Sequence, residues 1–549
     1  MHGICRCIFS GSGFVLPVGI LLSSKLQKEG IFILHRFSSV YVALLLSVFL
    51  LAVPPGGYVD LVSFKYILFL LLGGGYCVVM IVTRVQLALT GAAPIGSIKG
   101  RWKDVSIPAL FLLGFLLFTI LSALLSDYPG TFQGPFRQEG VLTIGIYVLS
   151  CLFLSRYFRP QKWMLYLLGI GAGLFCLLSF LQLTGANPLT LFPRGINFYG
   201  VGIYFSEPFI GTIGNVGLAA AFLSLAAGVL AMALIKFDFK ERWFLAPSFF
   251  LLVLLIFVLN SDAAFLALGV GFLLMLPVSV TSQKGLARTL LVLAMLIGAF
   301  GLSRVLLFQD GPIALAPGRL SLPLPGGLSL LLPTGLVLLL LAGLVLLFAL
   351  WVKKGGIFEK IPAKWYRIGA FGGLFSILCL GLAYLWFFGS NASGMIYEAS
   401  QMLRGRWEDA FGSGRVFIWR NVIEGLEGNL LFGTGPDTLG YWPTDPLIHF
   451  AELVGAPIVA SIDAAHNEYL HILATGGLFS LLAYLGALFY AMAKWIRHPE
   501  NQLSAVAGTG VLFYCIQAFF GISMFLTAPF FWACFAILLY AQRNPNAEA

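Results

Sequence analysis

The stretch HNEYLHILATGGLFSLLAYLGALFYAMAKW, residues 466–495, decides the fold of this chain. It opens on polar residues and then continues, without Asp, Glu, Lys or Arg after Glu468, through an apolar run that ends near residue 493. A run of this length crosses a bilayer as one helix. Of the 549 residues, 59% are hydrophobic and 10% are charged, whereas a soluble domain has about 25% charged residues. The sequence therefore predicts an all-α polytopic membrane protein.

Apolar runs of similar length recur along the whole chain, and fourteen of them are predicted to span the membrane. They are residues 37–54, 61–83, 105–125, 139–155, 163–183, 209–235, 243–260, 263–280, 288–308, 328–352, 368–389, 467–493, 503–524 and 528–541. This pattern divides the chain into four parts. They are an N-terminal segment (1–36), eleven helices (37–389), a long, partly helical extracytoplasmic loop (390–466), and three helices with a tail (467–549).

Lysines lie in alternate connecting loops, and the positive-inside rule places those loops in the cytoplasm. They are Lys99, Lys103, Lys162, Lys236, Lys240, Lys284, Lys353, Lys354, Lys360, Lys364 and Lys494. Both termini are thus predicted to be cytoplasmic, in a multi-pass protein of the cytoplasmic membrane surrounded by lipids. The net charge of +10 is spread over short loops. A nucleic-acid partner would require a clustered basic surface and is not predicted.

The opposite loops contain arginine but almost no lysine. The outer arginines are Arg137, Arg194, Arg319, Arg404, Arg406, Arg415 and Arg420. A guanidinium group binds phosphate or carboxylate through two parallel hydrogen bonds, which is one reason to keep positive charge on this side. A solvated loop arginine is the alternative for most of the seven. The long loop 390–466, which contains four of them, is predicted to be functional because bare connectors are shorter.

Residues 412–429, GSGRVFIWRNVIEGLEGN, are predicted to form a helix in this loop. Ser413 is the predicted N-cap and Gly428 the predicted stop. The apolar face is predicted to comprise Val416, Trp419, Ile423 and Leu426. Arg415 then lies in the first turn, where free N–H groups already favour an anion such as pyrophosphate. The alternative is an arginine that extends along the membrane surface. The glycine-rich stretch that follows, residues 429–443, favours a turn, because no strand precedes it as in phosphate-binding loops.

The polar opening of the 466–495 run is the second candidate site. Asp463 is predicted to cap a helix that begins at Ala464, which places His466 in the first turn at the membrane boundary. A histidine there can act as a general base on a hydroxyl group. An interfacial histidine that simply faces water is the alternative. Metal ligation is not predicted, because the histidines and carboxylates lack the spacing of known zinc motifs.

Four segments together resemble the O-antigen ligase and O-antigen polymerase superfamily. Residues 414–443, GRVFIWRNVIEGLEGNLLFGTGPDTLGYWP, resemble its Arg, Trp and Pro-Leu-Gly-x-Gly pattern, with Asn429 in place of the usual Pro. Residues 466–486, HNEYLHILATGGLFSLLAYLG, match its His-Asn-x-x-Leu helix entry. GTIGNVGLAAAFL (211–223) is similar to its Gly-Asn-Pro-Asn helix start, and RQEGVLTIGIY (137–147) to an Arg-x-x-Gly entry.

The resemblance implies a metal- and cofactor-independent membrane glycosyltransferase of the cell envelope. Such enzymes move a glycan from undecaprenyl pyrophosphate to the hydroxyl of an acceptor glycan, lipid or protein on the outer face of the cytoplasmic membrane. His466 is then the catalytic histidine and Arg415 a pyrophosphate-binding arginine. The expected substrate-binding residues are Arg137, Arg194, Arg420, Asn215, Asn467 and Glu468. The sequence does not separate a ligase from a polymerase, and bacterial lipopolysaccharide is one product class the resemblance suggests.

One residue departs from the family pattern. The family places Ser-Arg at the outer end of a middle helix, whereas this chain has Ser261-Asp262. A carboxylate there repels pyrophosphate, so another outer arginine compensates, the donor chemistry differs, or the chain is an inactive scaffold of an envelope polysaccharide complex. A transporter of polysaccharide or lipid-linked sugar is a further alternative. Its expected polar groups at mid-membrane depth and internal repeat are not evident in the sequence.

Overall fold

The chain folds into a helical bundle with one elaborated loop, seen in a computed structural model that describes residues 15–89, 106–183, 186–192, 211–238, 242–259, 261–306, 331–444, 447–451 and 456–545. Its helices are α1 (Val15–Leu44), α2 (Leu61–Phe69), α3 (Gly75–Leu89), α4 (Ile107–Leu124), α5 (Val141–Tyr157), α6 (Lys162–Leu183), α7 (Val216–Lys236), α8 (Arg242–Leu259), α9 (Asp262–Ser279), α10 (Gln283–Leu306), α11 (Leu331–Lys354), α12 (Gly356–Glu359), α13 (Ala363–Phe387), α14 (Gly394–Leu403), α15 (Arg415–Glu424), α16 (Glu468–Arg497), α17 (Gln502–Ala518) and α18 (Ala528–Arg543). The π-helical turns Leu45–Phe49 and Leu70–Gly74 extend α1 and join α2 to α3.

Ten helical segments of the described chain are long and apolar enough to cross a membrane. Three apolar helices are shorter, at Val141–Tyr157, Phe244–Leu259 and Gln502–Ala518. Each of the fourteen predicted runs overlaps one of these segments or α18. The prediction of a polytopic all-α membrane protein is therefore confirmed, while the number of crossings stays a prediction. The first run was placed too late, since α1 begins at Val15.

Helix α7 forms the centre of the bundle. Every residue from Leu218 to Ile235 is buried, and many of them are alanine or glycine. These small residues let the backbone of α7 approach that of α17 closely. A Cβ atom on Gly228 would lie 2.6 Å from the carbonyl oxygen of Thr509, and one on Gly510 would lie 2.5 Å from Val229. The α7–α17 pair therefore supports the helices that hold the candidate site.

Helix α16 is broken near its start, and the glycine-rich stretch 429–435 fills the break. Gly477 has φ 80° and ψ 175°, which interrupts the helical hydrogen bonds. The N–H of Gly435 donates to the carbonyl of Thr475 at 2.9 Å, and the N–H of Leu478 donates to Leu430 at 2.8 Å. A Cβ on Gly433, which has φ 67°, would lie 2.5 Å from the Thr475 carbonyl. The stretch is thus a packing loop that satisfies a broken helix, as the turn interpretation favoured.

The described residues of the loop 390–466 form two α-helices, a 3-10 turn at Leu439–Tyr441 and one β-ribbon. Strands β1 (Leu447–Ala451) and β2 (Ala456–Ala460) pair antiparallel, with Leu447 opposite Ala460. This ribbon was not predicted from the sequence. The loop also contributes most of an apolar cluster, which is built on Ile418, Val422, Leu439, Trp442, Ile462, Ala465 and, from α16, Ala474. The cluster fixes α15 against the start of α16.

Candidate active site

Three chain segments meet at the opening of α16: residues 126–140, the 404–424 region with α15, and residues 461–468. Trp419 of α15 donates its indole N–H to the carbonyl of Ala465 at 3.0 Å. Arg137 of the first segment donates to Asp463 at 2.8 Å. These two contacts hold Arg415 and Arg137 near His466, and the electrostatic influence of both arginines reaches its ring. The predicted pair Arg415 and His466 is thereby brought into one site.

Arg415 is the first residue of α15, so its predicted position in the first turn is confirmed. The N-cap, however, is Gly414 with φ 82°, not Ser413, and the helix ends at Glu424 rather than near Gly428. The guanidinium Nε donates to the carbonyl of Phe520 at 3.0 Å and Nη1 donates to that of Gly412 at 2.6 Å. The guanidinium group is thus held in place by backbone before any ligand arrives, as charge stabilisation requires.

The predicted apolar face of this helix is partly wrong. Val416 is buried, and Trp419 and Leu426 pack against the apolar cluster, as predicted. Ile423 is exposed, and Ile418 and Val422 are buried as well. Helix α15 therefore packs on the apolar cluster, and the face that contacts the cluster is rotated about the helix axis relative to the predicted face. Arg415 is half-buried in this arrangement. Burial lowers the pKa of its guanidinium, and the carboxylates of Asp262 and Glu398 oppose that shift.

His466 does not lie in the first helical turn as predicted. It precedes the N-cap Asn467, and its φ of 48° is in the left-handed region. This conformation is costly for a residue with a Cβ atom, by about 1–2 kcal/mol. In the part of the chain that the structure describes, no hydrogen bond to the imidazole ring is found. Among the described residues, the ring nitrogens are therefore available for a hydrogen bond with a substrate.

The environment of His466 keeps the imidazole neutral. Burial lowers the pKa of His466 to about 4, and the positive charges of Arg415 and Arg137 add to the shift, whereas Asp463 opposes it. A neutral imidazole can accept a proton from a hydroxyl group. It becomes a stronger base when an anion binds to the arginines, because their charge on the ring is then offset.

Arg137 is fixed from two sides. Its side chain pairs with Asp463, and its backbone N–H donates to Oδ2 of Asp437 at 2.7 Å. Asp463 was predicted to cap α16 at Ala464, which is wrong: the ion pair with Arg137 occupies its carboxylate, and α16 begins later. Asp437 is 1% exposed, and burial raises the pKa of its carboxyl group while the backbone donors lower it.

Asn467 and Glu468 have structural contacts in this site. Asn467 is the N-cap of α16, and its side chain accepts a hydrogen bond from the N–H of Leu470 at 3.0 Å. Both carboxylate oxygens of Glu468 accept from tyrosines, Tyr484 at 2.6 Å and Tyr514 at 3.1 Å. These contacts position His466 and join α16 to α17. A direct contact of Asn467 or Glu468 with substrate stays a prediction.

The other predicted substrate-binding residues lie elsewhere or outside the described residues. Arg420 is exposed and pairs with exposed Asp409 at 2.9 Å. Asn215 caps α7 by accepting from the N–H of Leu218 at 3.0 Å. Arg194 lies outside the described residues. Asp262, the departure from the family pattern, begins α9 and is exposed, within electrostatic range of Arg415.

Left-handed backbone is concentrated at the site. Six non-glycine residues of the described chain have positive φ. Four of them lie beside the residues discussed above, namely Gln138, Ser413, Asp437 and His466. Such strain is retained where surrounding structure enforces it, and it is frequent at functional sites. Three of these four residues lie on the chain segments that meet at His466, and the fourth, Asp437, accepts a hydrogen bond from the backbone N–H of Arg137.

Residues 326–485 match the O-antigen ligase family model. This segment is similar to the O-antigen ligase domain. It contains Arg415, Asp437, Asp463 and His466, and the resemblance to the O-antigen ligase and polymerase superfamily is thereby confirmed. The chain is a multi-pass membrane protein with a glycosyltransferase-type role in polysaccharide assembly, and its partners are in general terms a lipid-linked glycan and an acceptor. No curated protein shows significant similarity to the chain.

Sequence reasoning missed several polar residues beside the candidate site. Glu139 is buried and accepts from Tyr147 at 2.9 Å and from the N–H of Phe525 at 2.6 Å. Asp437 and His471 were not assigned roles. A carboxylate or histidine inside or beside a membrane helix is itself a functional signal, which could have identified them. Among the described residues, no group of three or more His, Cys, Asp or Glu side chains is placed to hold a metal ion.

Proposed function

We propose that this protein transfers a glycan from undecaprenyl pyrophosphate to an acceptor hydroxyl on the outer face of the cytoplasmic membrane. The observation that supports the proposal is a neutral histidine, His466, within electrostatic range of two arginines, Arg415 and Arg137, whose side chains are held by hydrogen bonds. The loop 390–466 is then the extracytoplasmic catalytic loop, and both termini are cytoplasmic. A pyrophosphate at headgroup level lies at the depth where α15 and α16 begin.

The reaction is a single displacement. The acceptor oxygen forms a bond to the anomeric carbon of the donor sugar while the bond from that carbon to the pyrophosphate oxygen breaks. His466 takes the proton of the acceptor hydroxyl, and the electron pair of the broken bond remains on the pyrophosphate. Arg415 and Arg137 stabilise the negative charge that develops there. No step in this sequence assigns work to a metal ion.

Asp262 does not remove the basis of the proposal. Asp262 is the first residue of α9, at the position where the family has an arginine, and its carboxylate interacts electrostatically with Arg415. Arg137 supplies a second positive charge at His466 and so takes the place of that arginine. Arg137 fits this role better than Arg420, because Arg137 is partly buried and acts on His466, whereas Arg420 is exposed and is not among the charges that act on His466.

The test is a transfer assay with purified protein in detergent and a carrier-linked oligosaccharide of the source cell. The wild type forms product, His466→Ala and Arg415→Ala lose it, and the matched control Arg420→Ala retains it. A wild type that forms no product while Asp262→Arg does would show a degenerate member, and the scaffold function would replace this one. Product length then separates a polymerase, which extends the carrier-linked chain, from a ligase.

A further inference from the structure

A cavity lies in the half of the bundle that is remote from His466. Helix α16 runs from Glu468, close to His466 in sequence, to Arg497, and α17 then begins at Gln502. The cavity is bordered by the start of α17, the start of α6, the second half of α7, the end of α1 with its π-helical turn, and α18. None of the residues discussed at the candidate active site lines it. The cavity is therefore separate from that site.

The walls of this cavity are apolar over most of their extent. The five helices contribute aliphatic and aromatic side chains, among them Leu168, Val229 and Phe530, and the thiol of Cys534. The space is large enough for several water-sized molecules. Close-packed protein interiors contain few voids of this size, and an apolar void does not hold water. A space of this kind within a membrane bundle therefore suits a hydrocarbon chain.

The length of the cavity is close to the depth of one leaflet. Its lining includes Leu225, near the middle of α7, and Phe237, which directly follows the last residue of that helix. About twelve helical residues at a rise of 1.5 Å correspond to roughly 18 Å. One leaflet occupies about half of the ~30 Å hydrocarbon core of a bilayer. An acyl chain that enters from this end can thus lie along α7 within its own leaflet.

The charged and amide residues of the lining lie together at one end of the cavity. They are Gln161 and Lys162, at the start of α6, and both are exposed. The adjacent Trp163 is also exposed, and its indole N–H donates to Oε1 of Gln161 at 2.7 Å. The surrounding segment SRYFRPQKWM, residues 155–164, contains three basic residues and no acidic residue. An exposed tryptophan beside basic residues is typical of a helix end at the membrane–water interface, where basic pockets between helices bind anionic headgroups.

We propose that this cavity binds an anionic phospholipid from the leaflet opposite the candidate active site. One acyl chain lies between α6, α7 and α18, and the phosphate group lies at Lys162. The positive charge of the mouth selects an anionic headgroup, and the apolar walls take the chain. The bound chain completes the packing of α7, α17 and α18. The inference does not depend on the proposed function, because lipid binding is measured without turnover.

Headgroup selection is measured first, by native mass spectrometry of the full chain released from nanodiscs of dioleoyl-phosphatidylcholine with a minor fraction of dioleoyl-phosphatidylglycerol. The wild type is expected to retain phosphatidylglycerol in preference to phosphatidylcholine. Lys162→Ala is expected to lower that retention about fivefold, as the loss of one basic residue near an anionic headgroup would. Lys353→Ala, an exposed lysine in the last turn of α11 outside the lining, is the matched control and is expected to retain it. Equal retention of both lipids, or equal losses in both variants, would overturn the inference.

The position of the acyl chain is measured next, with a phosphatidylglycerol that carries a diazirine at the end of one chain. Light is expected to attach this probe to buried lining residues such as Val229 and Cys534. Ala533→Leu, which fills part of the cavity, is expected to lose this labelling, whereas Ala383→Leu, on the exposed face of α13, is expected to keep it. Labelling of the folded wild type that is confined to exposed helix faces would overturn the inference, whether or not Ala533→Leu folds. Displacement of the probe by undecaprenyl phosphate at equal concentration would overturn the assignment to a phospholipid.

Discussion

Helices α7 and α16 begin with the same cap but differ in the residue that precedes it. Asn215 caps α7 and Asn467 caps α16, and each side chain accepts from a leucine N–H at 3.0 Å. The residue before each cap is in the left-handed region, with φ 85° at Gly214 and 48° at His466. The sequences are Gly-Asn in one helix and His-Asn in the other. The geometry of the cap is therefore shared, and the residue in the strained position is glycine in one helix and histidine in the other.

This difference makes the backbone before the cap less stable in α16 than in α7. Glycine adopts positive φ without a Cβ penalty, so α7 begins without strain. At α16 the same position is a histidine, at a cost of about 1–2 kcal/mol. Neighbouring helices are capped in the same way, so the fold alone does not require an imidazole there. A residue that opposes the local preference, beside Arg415 and Arg137, is best explained by its chemistry.

The largest expected effect comes from exchanging the residues that distinguish the two helix starts. His466→Gly removes the strain and the base together, so the transfer rate is expected to fall about 100- to 10,000-fold. The thermal midpoint is expected to stay the same or to rise, because left-handed backbone no longer costs about 1 kcal/mol. Transfer assays and thermal unfolding of the same preparation measure both quantities.

Gly214→Ala is the reciprocal variant. Its Cβ would lie 2.4 Å from Leu61, and its φ of 85° disfavours any side chain. The midpoint of unfolding is expected to fall, whereas the rate per folded molecule is expected to remain within about threefold of the wild type, since α7 lies outside the reaction. The assignment of strain and chemistry to His466 would be contradicted if His466→Gly unfolds at a lower temperature than the wild type. It would also be contradicted if Gly214→Ala is folded but inactive.

Arg415 and Arg420 give the next contrast, within one helix. Arg415→Gln is expected to lower kcat/KM about 100- to 1,000-fold, because a fixed donor to developing charge is lost. Arg420→Gln is expected to change it less than about threefold, since an exposed ion pair with Asp409 contributes little. Steady-state kinetics at varied donor concentration measure kcat/KM for both variants. Equal losses in both variants would contradict the assigned roles.

The pH dependence reports the charges around His466. Only the neutral imidazole can accept a proton, and the pKa of His466 is lowered to about 4 in the free protein. The kcat/KM is therefore expected to stay constant from pH 8 to about 5 and to fall below that. Bound pyrophosphate raises the pKa of His466, so kcat should decline at a higher pH than kcat/KM. An acid limb of kcat/KM near pH 6.5 would contradict the described environment.

Variants of the two N-cap residues, Asn215 and Asn467, test whether Asn467 affects catalysis in addition to helix stability. Asn215→Ala and Asn467→Ala are each expected to lower the free energy of unfolding by about 1 kcal/mol through loss of a cap. Only Asn467→Ala is expected to slow transfer as well, by about tenfold, because the cap positions the adjacent histidine. Denaturant unfolding and transfer rates separate the two effects. Equal rates in both variants would assign Asn467 to stability alone.

Asp262→Asn has the smallest expected effect. Removing its carboxylate frees the charge of Arg415 for the donor, so the donor KM is expected to fall by about two- to fivefold at low salt. The effect should diminish at high ionic strength, because the carboxylate is exposed. An increase of the donor KM would show instead that Asp262 contributes to donor binding.

The sequence predicted what depends on local pattern. Apolar runs marked the helices, and Arg415 was correctly placed in the first turn of one. The pairing of Arg137 with Asp463 joins residues 326 positions apart, and no local signal encodes it. The prediction of Asp463 as the cap failed for the same reason: its carboxylate pairs with the distant Arg137, and Asn467 is the N-cap. The insertion of residues 429–435 beside Gly477, the β-ribbon and the cavity likewise depend on contacts between distant segments.

The most direct test of the account is the anomeric configuration of the transferred sugar. A single displacement, with His466 as base on the acceptor and Arg415 at the leaving pyrophosphate, inverts the anomeric centre. NMR of the product, compared with the sugar pyrophosphate linkage of the donor, is expected to show the opposite configuration. Retention would contradict the account, because it requires a covalent intermediate or a second displacement that the arrangement of His466 and the two arginines does not supply.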